Sequence, residues 1–181
     1  MSLIYQQFHA SVEEGEPNFS LFDNLDPAEE PALNKALLAD LHPVNILALG
    51  YIDTYSAVPV IRKILKSENH YRRLAAARVL WRLDKSEEGF HIFQESIEDD
   101  TEGLALKFYS INLLGTLHHP RSFAMLEAAF LDKHFMVRLK AAQAFSRICR
   151  KKSSLKEILR GIEAYDREKI KRFSKRMRKK I

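Results

Sequence analysis

The sequence predicts an all-α protein, a right-handed α-α superhelix of about eleven helices, and three observations predict it. The first is a recurring helix-end pattern: Ala48-Leu49-Gly50-Tyr51-Ile52, Val79-Leu80-Trp81-Arg82-Leu83, Leu113-Leu114-Gly115-Thr116-Leu117 and Ala144-Phe145-Ser146-Arg147-Ile148. Its equivalent last residues, Ile52, Leu83, Leu117 and Ile148, lie 31, 34 and 31 residues apart. A fixed period in this range marks a tandem repeat. The second is the apolar stripe that each later pattern closes: Ala76, Val79, Leu80, Leu83, then Ser110, Leu113, Leu114, Leu117, then Ala141, Ala144, Phe145, Ile148. That i, i+3, i+4, i+7 spacing is the face of a helix. The third is that no segment reads convincingly as a strand.

Each element has its own signals. Leu3 to Glu14 carries Leu3, Ile4, Phe8 and Val12 and predicts a short first helix, broken near Pro17. Phe19, Leu21, Phe22 and Leu25 form an apolar cluster suited to cover the first repeat, because terminal repeats need an atypical outer face. Asp26-Pro27 predicts a helix start, with Asp26 as cap and Pro27 in the first turn, and the helix runs to about Leu41. Pro43 opens the next helix, ending at Gly50. The first full repeat pairs Ser56 to Lys66 with Asn69 to Leu83, and the pattern continues to Arg150. Lys152-Ser153-Ser154 predicts a helix to about Tyr165, and Asp166 caps a last one to about Met177. The organisation is thus a helical cap over 1–42, repeats over 43–150, and a basic helical cap over 151–181. One helix pair cannot bury both its apolar sides, so the pairs must stack.

Leu47-Ala48-Leu49-Gly50-Tyr51-Ile52 with Ser56-Ala57-Val58-Pro59, and Val137-Arg138-Leu139-Lys140-Ala141-Ala142, resemble HEAT repeats of the short, phycobilisome-lyase-like type. The resemblance covers roughly 43–150. It departs from the usual HEAT period of ~40–47 residues, and it is weakest over Asp84 to His118. It implies a solenoid whose second helices line a concave surface. It also implies that the basic motif position, filled by Arg73, Lys107 and Arg138, ties neighbouring repeats together. The tetratricopeptide alternative fails because Leu49-Gly50 and Leu114-Gly115 stand at a helix end.

The 181 residues are 46% hydrophobic and 29% charged, a balance that suits one helix-rich globular domain rather than a disordered chain. The single Cys149 excludes an internal disulfide and suits a reducing compartment. With no basic-then-apolar leader and no apolar run near the ~20 residues of a membrane span, a cytoplasmic, monomeric protein without membrane attachment is expected. Charge is unevenly placed. Residues 1–60 hold nine acids and one base, a net of −8, and residues 147–181 hold fifteen bases and four acids, a net of +11.

No phosphate loop, dinucleotide glycine pattern, nucleophile elbow or zinc-helix motif occurs. No catalytic residue, metal site or cofactor is therefore expected. His118-His119 reads as an inter-repeat turn, and Asp99-Asp100 as a solvated turn and helix start. A binding face follows from periodicity: Arg78, Trp81 and Arg82 lie opposite the buried stripe of their helix, with Asn112 and Thr116, then Gln143, Arg147 and Arg150, at matching places. Reversing the charge of Arg78 and Arg82 is expected to leave folding stability nearly unchanged. The leading expectation is a non-catalytic module that binds a protein partner, as a scaffold or an inhibitor or immunity protein. The alternative is nucleic-acid binding through Lys151, Lys152, Lys156, Arg160, Lys169, Arg172, Lys175 and Arg176, which together offer many phosphate contacts. A second alternative is a lyase or a DNA glycosylase on a HEAT-like rod, for which Trp81 between Arg78 and Arg82 lacks an accompanying carboxylate.

Overall fold

In the computed structural model, the residues described are 3–14, 17–101, 103–148, 168, 172 and 175. They contain nine α-helices, two short 3-10 turns and no strand. The count differs from the expected eleven, and the two further expected helices, over 152–165 and 166–177, lie largely outside the described residues. So do Arg150, Lys151, Lys152, Lys156, Arg160, Lys169 and Arg176 of the expected binding surfaces. No helix among the described residues is long and apolar enough to cross a membrane. The chain divides into two compact units, Met1–Gly89 and Phe90–Ile181.

Unit 1 holds α1 (Leu3–Glu13), α2 (Glu30–Ala39), α3 (Pro43–Tyr51), α4 (Val58–Ile64) and α5 (His70–Asp84). Its core runs from Phe8 and Phe22 through Leu33, Leu37, Ile46 and Leu49 to Val79, Leu80 and Leu83. The N-terminal segment therefore shares one core with the first repeat. Phe8 lies 4.9 Å from Phe22, and Phe19 stacks on Tyr51 at 5.6 Å, which sets the 3-10 turn Phe19–Phe22 against the end of α3. The α2 helix begins three residues later than Asp26-Pro27 predicts. Asp26 does cap a turn, accepting from the Ala28 N–H at 2.9 Å. A helix continuous from Pro27 would place Pro31 in its interior, where it has no N–H to give. The regular helix starts at Glu30 instead, with Pro31 in its first turn.

Unit 2 holds α6 (Phe90–Glu98), α7 (Leu104–Leu114), α8 (Pro120–Ala129) and α9 (Phe135–Ile148). Its stripe residues Leu113, Leu114, Phe145 and Ile148 are buried as the periodicity predicts. Ser110, the polar member of a stripe, is fully buried and donates to the Phe93 carbonyl at 3.3 Å. The Phe145 ring meets Phe123 and Phe130 edge-on at 5.7 and 5.3 Å.

In both units the second helices of successive repeats, α3 with α5 and α7 with α9, pack directly on one another. The same small residue makes this possible each time. A Cβ on Gly50 would meet Val79 Cγ2 at 2.7 Å, and one on Gly115 would meet Ala144 Cβ at 2.9 Å. Val79 and Ala144 are equivalent repeat positions, so one close contact occurs twice. Gly50→Ala gains up to ~1 kcal/mol in helix propensity but forces a stiff, β-branched neighbour aside, an overpacking cost of ~1–3 kcal/mol. We expect a lower thermal melt for Gly50→Ala. In a Val79→Ala background the same change should cost nothing further. Equal costs in both backgrounds would show that the Gly50–Val79 approach does not govern the packing.

Candidate functional site

The predicted face is set by helix ends, and its residues differ in what they already hold. In unit 1, Arg82 reaches back from α5 to the end of α3. It donates to Asp53 at 3.1 Å and to the Tyr51 carbonyl at 3.2 Å, and its guanidinium lies 5.7 Å from the Tyr51 ring. Arg78 and Trp81 are half-buried beside it, with the Lys85 ammonium 5.6 Å from the indole. Arg82, expected to tolerate charge reversal, is thus half of a part-exposed ion pair, and a glutamate there would face Asp53.

In unit 2, Asn112 is exposed on α7 and Thr116 in the turn after it, Arg147 is exposed on α9, and Gln143 is half-buried one turn before it. Arg147 donates to the Asn112 side chain at 3.2 Å. Arg82 and Arg147 occupy equivalent repeat positions, and each reaches the preceding second helix. The structure thus joins Asn112 and Arg147 in one polar face on α7 and α9, and places Arg78, Trp81 and Arg82 together on α5. Arg172 and Lys175, from the basic segment, are helical and exposed.

The basic motif position is a different matter. Lys107 has a side chain only 3% exposed, and its ammonium donates to Asp100 at 2.6 Å and to Asp132 at 3.3 Å. Asp100 lies in the turn before α7 and Asp132 in the turn before α9, so one buried cation joins two successive turns. Lys133 also pairs with Asp100. Arg138 completes the assembly by donating to the Asp132 and Lys133 carbonyls at 2.9 and 3.0 Å. Asp99-Asp100, expected as a solvated turn, is in part this anchor. The Asp99 carboxylate caps the turn through the Thr101 N–H, while Asp100 binds the lysines. Spacing alone could not separate the two acids, because the bridge that Asp100 enters is completed by Lys133 and Asp132 of the following repeat.

Helix capping supplies a signal that the sequence reading missed. His42-Pro43 and His119-Pro120 open α3 and α8 alike: each imidazole Nδ1 accepts from the backbone N–H two residues on, at 3.4 and 3.2 Å, and proline fills the first turn. His119 also packs on Phe90 at 4.7 Å. Among the described residues no three of His, Cys, Asp and Glu converge on one point. In unit 1 a polar concavity of about 510 Å³ lies between the 3-10 turn, the start of α2 and the end of α3.

Comparison of the chain with protein-family models, with curated proteins and with solved structures returned no match in any of the three.

The ionic assembly has a pH signature. Hydrogen bonds from Lys107 and Lys133 bring the Asp100 carboxyl down to about 2. Burial works to lower the Lys107 ammonium, and the bonds and charges of Asp100 and Asp132 outweigh it and raise it. Asp100 titrates lower folded than unfolded, so its contribution is complete above the ordinary carboxylate range and is lost as pH falls toward about 2. Lys107 contributes below the ordinary lysine range and ceases to do so only at still higher pH. We expect an acid titration of the thermal melt to fall less steeply below pH ~4 in Asp100→Asn than in the parent. Lys107→Ala should cost about 2–3 kcal/mol near neutrality. That is under the ~3–5 of a pair buried on both sides, because Asp100 stays half-exposed. A melt unmoved by Lys107→Ala would remove the anchoring role.

Proposed function

We propose that the protein is a non-catalytic, protein-binding module, a scaffold or inhibitor-type chain, whose helix pairs continue as a right-handed HEAT-like solenoid. The observation that carries this reading is the polar face of α7 and α9. Asn112 and Arg147 are exposed there on two helices that approach closely at Gly115, and Thr116 is exposed in the turn that follows α7. Such a face is rigid before any partner arrives, and a pre-ordered surface binds at lower entropic cost. Arginine is among the side chains favoured as binding anchors, and Trp81 with Arg78 supplies a second set on α5. In the solenoid arrangement these sets would follow one concave surface. The paired positions of Gly50 and Gly115, and of Arg82 and Arg147, support a common repeat geometry.

The test separates binding from folding. Arg147→Glu removes one exposed hydrogen bond and should change stability by under ~1 kcal/mol. Arg82→Glu should lower the melt, because it sets a carboxylate against Asp53. Retention of a protein from native-cell extract by the tagged chain, compared with the Arg147→Glu variant, is the measurement. We expect at least tenfold weaker retention, ~1.4 kcal/mol, with the melt preserved. Undiminished retention by Arg147→Glu would move the partner off this face. The net charge of +11 over 147–181 favours one other reading, nucleic-acid binding. Its mark is affinity for B-DNA that falls with salt at a log–log slope of ~0.9 per phosphate neutralised.

A further inference from the structure

The concavity of unit 1 is unlike the α7–α9 face. Its lining is mainly polar, from Asp23, Glu30, Tyr51 and Arg82, with a smaller apolar part from Phe22, Leu25, Pro27 and Ile52. The one cation, Arg82, is already matched by Asp53 at 3.1 Å. Asp23 gives one oxygen to the Tyr51 hydroxyl at 2.6 Å, and Glu30 gives one to the Asn34 amide at 3.4 Å. Neither carboxylate is in an ion pair among the described residues, and each keeps a second oxygen. The surrounding chain deepens the negative field, with nine acids and one base over 1–60. With Arg82 matched by Asp53, the two carboxylates leave the lining with an excess of negative charge, which favours a cation.

We propose that this cleft receives a cationic side chain, an arginine by preference, from a basic segment of a protein partner. The chemistry fits each part of the site. Two carboxylates from different elements, Asp23 after the 3-10 turn and Glu30 at the start of α2, offer acceptor oxygens to a planar guanidinium with several donors. The smaller apolar part of the lining, with Leu25, Pro27 and Ile52, offers contact to the methylene stem. Tyr51 is fixed for the task, its ring stacked on Phe19 and its hydroxyl held by Asp23. Lysine is the poorer fit, because a compact, strongly hydrated ammonium makes less use of two separated acceptors. The inference rests on the protein-partner reading only for the source of the arginine.

The probe is acetyl-Gly-Arg-Gly-amide, titrated into the full chain and followed by backbone amide shifts. The control is the same peptide with citrulline, which has the shape of arginine without its charge. We expect saturable shifts confined to 22–30, 51–53 and Arg82 with the arginine peptide, and none with citrulline. Asp23→Asn and Glu30→Gln each keep an oxygen for Tyr51 or Asn34, so the cleft stays built while its charge falls. The double variant, with its melt checked against the parent, should bind the arginine peptide at least tenfold more weakly. Equal shifts with citrulline, or shifts scattered over the acidic surface, would overturn the proposal. A folded double variant that binds as tightly as the parent would do the same. Should it fail to fold, the comparison of the two peptides on the parent chain still decides. Intact partner retention by Arg147→Glu together with a local arginine response would defeat the α7–α9 reading and leave this one in place.

Discussion

Unit 2 is organised around one ammonium group that water scarcely reaches. A lysine buried in a helical core is costly unless its charge is met, and Lys107 meets it with carboxylates from two different turns. Those turns precede α7 and α9, so satisfying the charge also fixes where both helices begin. Arg138 and Lys133 then depend on the same two turns for their own bonds. Apolar burial drives α6 to α9 together without direction, whereas the ionic assembly has direction and sets their register.

The helix-level plan was open to reading because it rests on short spacings. The stripes ending at Leu83 and Ile148 needed only neighbours three and four residues away, and their members are buried. Asn69 likewise caps α5 as its place before that stripe implies, accepting from the Arg72 N–H. What stayed hidden depends largely on partners from another repeat. Arg82 faces away from its own helix's core, as periodicity says, but Asp53 waits for it 29 residues back. Asp100 looked like one of two turn acids, and Lys133 of the following repeat joins Lys107 in giving it another role. The start of α2 was misplaced by a competition between two prolines in which Pro31 prevails.

A division of labour emerges at one repeat position. Arg82 and Arg147 stand at equivalent places and both reach back to the preceding second helix. The former meets a carboxylate and a carbonyl, the latter an exposed amide. The first arrangement is a brace for the end of α3. The second leaves its guanidinium on an exposed surface, against Gly115 and the Asn112 side chain. A repeated framework can thus keep one side chain in each copy while its role shifts with the residue opposite.

The bridge from Lys107 to Asp132 also limits how this array can grow. Tandem proteins lengthen by copying whole repeats, which succeeds when each copy is self-sufficient. Here the acid that completes the lysine's shell belongs to the following copy. A repeat inserted between α7 and α8 would separate the two, leaving Lys107 with Asp100 alone, unless the newcomer carried an acid in the turn before its second helix. Such a chain is modular in backbone but not in charge, and a splice between its repeats must respect the ion pair as well as the helix boundary.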